Sequence, residues 1–433
     1  MTREDINSLG LQPLDLKLRA EVKRHLWFSR FKGTVQMGND YNNDPKLRAS
    51  GSPIEVNYNL RSIGYGDRLL IPMEKDLAGA PTLGDAVLTG REEEMARAYA
   101  KVGFNQVRHA IPVRLGRMDE IRERGFRAAE ENLQKLAWWH AQYENYNILT
   151  AIYEGASENL YTTNTNPDYG QGLGIPRRFH PNLYVNTTAA LTRVGDPGKF
   201  PTATEVFAAA STSTSGAPMN AATVQKARIT AMRLGIQPLV TDGGFKFWPW
   251  LITPEQAYSL SQTNEFKAMM ATNVWKEMKD HPWVKGAIGY FGGFVFFEDV
   301  LSVRGFSGAN AASLNVLGTT DLVATTDIKQ NPRFLPQEGH ITSTISEVEK
   351  ANHVSIIFGA SFLGEALHEN LGFATESQDY DNWQGLGAYT KYGYERLDFV
   401  PKSHVQYLEG TEAGIDNITN VYNRSSMLVM TFE

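Results

Sequence analysis

The stretch from Met118 to Tyr153 constrains the fold more than any other part of the chain. Met118, Ile121, Gly125, Ala129, Leu133, Leu136, Trp139 and Tyr143 recur every three or four residues, with Glu and Arg on the opposite face. That is the period of one amphipathic helix. At 1.5 Å per residue it runs on the order of 50 Å, longer than most helices of globular proteins. A helix of that length is a structural spine. Its stripe of Ile121, Leu133, Leu136 and Tyr143 predicts a sheet of the same subunit packed along it.

Upstream, Arg68 to Met73 reads as a strand and Val102 to Val113 alternates as a second. Between them, Leu83 to Met95 is polar, turn-rich and partly acidic. Two long strands around such an excursion predict a protruding hairpin that needs a neighbour to cover it. Nearer the N-terminus, Leu14, Leu18, Val22, Leu26 and Phe28 fall near helical spacing and predict an amphipathic arm. Residues 1–33 hold seven Lys/Arg against four Asp/Glu, so the arm is locally positive, and a solvated helix face is the simplest reading of that charge. Residues 33–66 read as a connection, and 154–219, rich in Asn, Thr, Gly and Pro, as surface loops. A helix follows at 221–234, ended by Gly235, then a strand at 245–252 and a helix with Thr253 as N-cap and Pro254 first. Strands are predicted at 287–300 and 353–360, the second running into a short helix at 361–369. Ser426 to Phe432 is a terminal strand whose backbone requires a partner.

Searches for chemistry return little. The absence of cysteine removes disulfides, thiolate metal sites and thiol nucleophiles together. A net charge of −6 creates no global positive field for nucleic acid. No window reaches the ~20 apolar residues of a membrane span, and the N-terminus does not read as a signal peptide. With 42% apolar and 21% charged residues, the chain is a folded one. The phosphate-loop, dinucleotide, HExxH and GxSxG patterns are all missing from the sequence. His140 and Glu144 share a helix face as a metal pair would, but without a third ligand nearby in sequence they read as a surface hydrogen bond. The carboxylates Asp379/Asp381 and Glu92/Glu93/Glu94 read as solvated charges rather than an acid/base pair. Trp138, Trp139, Trp248, Trp250, Trp283 and Trp383 fit either a carbohydrate platform or a packed interface, and the interface is the better fit. The sequons at Asn186, Asn417 and Asn423 read as chance.

Several segments carry a resemblance in their joint order. Leu83-Gly84-Asp85 through Leu88-Thr89-Gly90-Arg91-Glu92-Glu93 is followed by Gln106-Val107-Arg108-His109-Ala110, and then by the spine helix. Trp250-Leu251-Ile252-Thr253-Pro254-Glu255-Gln256-Ala257 forms a strand-Pro-helix pattern, ahead of Lys285-Gly286-Ala287-Ile288-Gly289 and Gly293-Phe294-Val295-Phe296-Phe297-Glu298. Asp379-Tyr380-Asp381-Asn382-Trp383 with Gly385 and Gly387 comes last. The arrangement resembles the HK-97-like fold of tailed-bacteriophage major capsid proteins, and within it the coat-protein family typified by coliphage N-four. The resemblance covers Arg68 to the C-terminus except for stretches near 157–217 and 304–350.

This resemblance implies an α+β fold with an N-terminal arm at 1–53, an extended hairpin at 54–117 and a spine helix of a peripheral domain at 118–156. It further implies an axial domain with loop insertions at 157–394 and a return to the peripheral domain at 395–433. The implied function is a coat protein that self-assembles, as hexamers and pentamers, into an icosahedral shell around double-stranded DNA. The implied location is the virion, after assembly in the bacterial cytoplasm. Portal, scaffolding and decoration proteins are the other implied partners, although the chain begins almost directly at the arm, without a long scaffolding extension. Catalytic residues, cofactors, metals and a membrane have no place in this reading. Leu83, Asp85, Leu88, Arg91 and Arg108 are the expected inter-subunit residues of the hairpin, and Lys17, Arg19, Lys23 and Arg24 the expected DNA-facing residues of the arm. The competing reading is a soluble carbohydrate-active hydrolase that uses loop carboxylates and tryptophan platforms.

Overall fold

A computed structural model of the chain describes residues 18, 20–22, 26–33, 52–57, 68–74, 81–85, 87–89, 92, 97–114, 118–160, 178–210, 216–241, 244–270, 284–298, 305–306, 314–315, 352–378, 383–400, 418 and 420–433. The strands in chain order are β1 (Ile54–Asn57), β2 (Arg68–Glu74), β3 (Arg97–Gly103), β4 (Asn105–Arg114), β5 (Leu183–Asn186), β6 (Leu191–Arg193), β7 (Leu239–Val240) and β8 (Lys246–Ile252). They continue with β9 (Gly289–Phe291), β10 (Phe294–Glu298), β11 (Gly305–Phe306), β12 (Leu314–Asn315), β13 (Asn352–Phe358), β14 (Leu363–Gln378), β15 (Trp383–Arg396) and β16 (Ser426–Phe432). The helices are α1 (Met118–Glu154), α2 (Ala203–Ala210), α3 (Ala221–Leu234), α4 (Pro254–Ser261) and α5 (Asn264–Met270).

The larger sheet has eight strands in the order β6-β5-β16-β13-β8-β10-β9, with β7 paired to β8. Its inner strands are apolar along almost their whole length because both faces are covered. Every residue of β16 is buried, and so is all of β8 after Lys246. Pro249 lies between the part of β8 that pairs with β7 and the part that pairs with β13, a place where a missing N–H is tolerated. Gly292 and Gly293, both at positive φ, close the hairpin that splits the expected 287–300 strand into β9 and β10. One face of this sheet packs Trp248, Trp250, Phe294 and Phe296 against Val224, Ala227 and Ala231 of α3, Leu260 of α4 and Phe266 of α5. Helix α4 begins with reciprocal bonds between Thr253 and Gln256, and α3 with the same box between Asn220 and Thr223.

The smaller sheet runs β1-β14-β15-β4, built on the long antiparallel pair β14/β15. Helix α1, 37 residues long, packs against it. Leu133, Leu136 and Ala137 meet Ala388 and the half-buried Ile111, Leu371 and Phe373, together with Leu18 and Val22 of the arm. The expected stripe is thus intramolecular at Leu133 and Leu136, while the Ile121 side chain lies outside the described residues. The last turns of α1 depart from amphipathic behaviour. From Glu154 back to Asn145 every residue is buried, because Tyr153 donates to the Val354 carbonyl of the large sheet while Asn147 bonds the Tyr392 hydroxyl of the small one. Here the spine touches both sheets.

Two expectations give way. Residues 361–369 are not helical: from Leu363 they open β14, held between β1 and β15, and these non-local pairings override the local pattern. Residues 154–219 are not all surface loop, since β5 is buried beside β16 and α2 follows. β14 and β15 form the centre of the small sheet, and β16 sits inside the large one, between β5 and β13.

Candidate assembly surface

Strands β2 and β3 form a two-stranded ribbon of their own, from Arg68 opposite Gly103 to Glu74 opposite Arg97. Beyond it lies a turn at Gly84-Asp85 and, close together in sequence, three exposed large apolar side chains. Leu83, Val87 and Leu88 are 78%, 70% and 60% exposed. Asp85 beside them is exposed, as is Glu92. Among the described residues these apolar groups stay largely in solvent, and neighbouring exposed apolar side chains are a candidate interaction surface. Arg108 is exposed on β4, opposite Tyr389 of β15, and belongs to the body rather than to the ribbon. Arg91, Lys17, Arg19, Lys23 and Arg24 lie outside the described residues, as do Glu93, Glu94, Asp379, Asp381 and Trp283.

The arm is tied down at its root. Phe28 and Phe31 of the turn Trp27–Phe31 are buried, Phe31 edge-on to Phe358 at 5.1 Å and Trp27 edge-on to Phe297 at 5.5 Å. Just after it, Lys32 Nζ lies 2.5 Å from Glu144 Oε1 of α1 and 3.0 Å from Glu365 of β14, and donates to the Tyr394 hydroxyl at 2.6 Å. Tyr394 in turn donates to Glu144 at 2.5 Å. Burial alone lowers the ammonium pKa, but the two carboxylates outweigh it and hold Lys32 charged. Burial first, and the Glu144 charge after it, raise the Glu365 carboxyl above its ordinary value against the pull of Lys32.

This clasp corrects the sequence reading of Glu144, whose partners are Lys32 and Tyr394. His140 hydrogen-bonds the Ala388 backbone instead, and burial followed by the neighbouring His109 lowers its pKa to about 4. Among the described residues no cluster of three or more His, Asp or Glu could hold a metal ion. Trp139 stacks on His109 at 4.1 Å and on Tyr143 at 5.3 Å, and Trp248 and Trp250 are buried, so these rings build the core rather than a sugar platform.

A second interior network gathers Arg178, Glu395, Arg396 and Asp398. Arg396 donates to both Asp398 oxygens at 2.9 Å, and Arg178 to Glu395 at 2.6 Å. Burial alone would raise the Asp398 carboxyl, but Arg396 and then Arg178 hold it below the usual range. Beside it, Ser426 Oγ lies 2.9 Å from His180 Nε2, the geometry of a nucleophile and its base. The tautomer is wrong for that role. The Asn182 N–H donates to His180 Nδ1 at 3.0 Å, so Nε2 carries the hydrogen and cannot take one from serine. The group is a buried structural tie.

The match to a phage capsid protein family model extends over residues 35–422. The chain belongs to the phage capsid protein family. The capsid of Ralstonia phage GP4 superposes with a TM-score of 0.56 at 15% identity, over 94% of this chain and 90% of that one. The head of Helicobacter pylori bacteriophage KHP40 gives 0.52 at 13% identity, over 93% and 95%. No curated protein matches by sequence. The subunit is therefore a major capsid protein with the HK-97-like fold of tailed phages, a structural protein of the virion. The hydrolase reading has no support. The narrower likeness to the coliphage N-four coat family is not confirmed.

Proposed function

We propose that copies of this capsid protein assemble into an icosahedral shell of hexamers and pentamers around double-stranded DNA, each hairpin lying on the next subunit. The carrying observation is the run of exposed apolar side chains Leu83, Val87 and Leu88 at the tip beyond the two-stranded ribbon. Asp85 and Arg91 at the tip, and Arg108 on the body, are charged groups placed to set register between copies. In the arm, Leu18 is buried on the spine helix. Lys17, Arg19, Lys23 and Arg24 flank that anchored residue, and this reading turns them to the shell interior, where they offset phosphate repulsion non-specifically. Assembly occurs in the bacterial cytoplasm, with portal, scaffolding and decoration proteins as further partners.

Deletion of residues 81–92 tests the carrying observation. Soluble subunits with the native circular dichroism spectrum and no shells in negative-stain micrographs are expected. Normal shells from that deletion would refute the role of the tip.

A further inference from the structure

The ribbon leaves the body at one crowded point. Between β3 and β4 the backbone crosses β15 at Gly393, where a Cβ would overlap the Gly103 carbonyl oxygen and come within 3.1 Å of Leu160 Cδ1. At the next residue Phe104 stacks on His368 of β14, with ring centroids 4.9 Å apart and planes 23° from parallel. One residue further, the Asn105 side chain donates to the Asn159 carbonyl at 2.8 Å, and Asn159 donates to the Tyr392 carbonyl at 2.8 Å. Three successive residues of the exit are thus fixed to three separate elements. The base of β3 also runs alongside both β14 and β15.

We propose that Gly393 and the Phe104–His368 stack are positioning residues that fix the direction in which the hairpin leaves the body, and that assembly depends on that direction. The physical argument is one of leverage. The tip lies a whole ribbon away from its root, and at ~3.4 Å per residue a small rotation at Gly103 becomes a displacement of several ångströms at Leu88. A two-stranded ribbon has no second layer to correct such an error. The backbone crossing at Gly393 leaves room for hydrogen only, so any side chain there lifts the exit from the sheet. This inference rests on the hairpin reading above.

The cysteine-free chain allows spin labels to be placed at Thr89→Cys on the tip and Arg233→Cys on α3 without background. Pulsed dipolar distances on unassembled subunits are then compared for the labelled parent, Gly393→Ala and Phe104→Ala, with shell yield measured on the unlabelled variants. A narrow distribution in the parent, displaced or broadened in both variants together with a loss of shells, is expected. An unchanged distribution overturns the proposal, and so does a changed one with undiminished shell yield. If Gly393→Ala does not fold, Phe104→Ala and His368→Ala decide the matter, because neither places an atom inside the crossing. The 81–92 deletion separates the two ideas. If it assembles normally, the tip reading fails, while the distances still report whether this point sets the hairpin's direction.

Discussion

Replacing Lys32 with methionine removes one cation from between two buried carboxylates and keeps most of the stem's volume. The Lys32, Glu144 and Glu365 side chains are 19%, 15% and 2% exposed, so water replaces little of the lost interaction. Breaking a buried pair from one side costs about 3–5 kcal/mol, and the partial exposure of Lys32 and Glu144 places this case near the low end, about 3 kcal/mol. Against a total stability of about 5–15 kcal/mol, that loss is readily measured. Glu365→Gln acts in the opposite direction. The amide oxygen still accepts from Lys32, while the like charge facing Glu144 disappears.

Because the Glu365 carboxyl is raised in the folded state, its contribution is full below the ordinary value of 4.5 and is lost as pH rises through the folded value. The advantage of Glu365→Gln over the parent therefore grows from pH 4.5 upward. The Lys32→Met deficit shrinks toward acid, where Glu365 takes up a proton, and the double variant recovers part of it at pH 7. Urea unfolding of unassembled subunits followed by far-ultraviolet dichroism, at intervals from about pH 4.5 to 8, reads all three. A Lys32→Met variant within about 0.5 kcal/mol of the parent at pH 7 would refute the clasp, as would no coupling in the double variant.

Leu136 is fully buried between α1, β15 and the arm, so Leu136→Asp leaves an unpaired charge in the core, costs several kcal/mol and prevents folding. A folded variant that fails only to assemble would place that stripe against a neighbour instead. Charge reversal at Lys17, Arg19, Lys23 and Arg24 is expected to give intact shells with impaired genome retention. Failure to form shells would mean that these residues pair with acidic groups on an adjacent subunit, and normal DNA retention would leave them as a solvated helix face.

Local elements were legible in the sequence because local rules decide them. The period of α1, the Thr253-Pro254 start of α4 and the strand at Ser426–Phe432 each depend on a short window, and each stands close to where that window places it. Segments decided by distant partners were not legible. Leu363–Glu369 has apolar residues at helix-compatible spacing, yet β1 and β15 flank it and make it a strand. Leu183–Asn186 is too short and too closely flanked by turn formers to stand out until β16 pairs with it. The clasp joins residues 112 and 333 positions apart, so no spacing rule links Lys32 to Glu144 and Glu365. Nothing in the sequence singles out Gly393, and only the crossing backbone of Gly103 gives it a reason.

The placement of charge and apolar surface explains why a chain with so many ionisable side chains supports assembly. In the described interior, charges are paired across elements remote in sequence, Lys32 to Glu144 and Glu365, and Arg178 to Glu395 and Asp398, while Arg396 holds Asp398 two residues away. Such pairs add little net stability over apolar packing, but breaking one is costly, so they fix which elements meet and resist sliding. They join the arm root, the spine helix and the long β14/β15 pair into one body. The apolar tip lies outside that body, at the end of a ribbon rooted in it. A body that deforms would lose the tip's aim, whereas a rigid one carries it to the same place in every copy. Repetition of that one placement is what a closed shell of identical subunits requires.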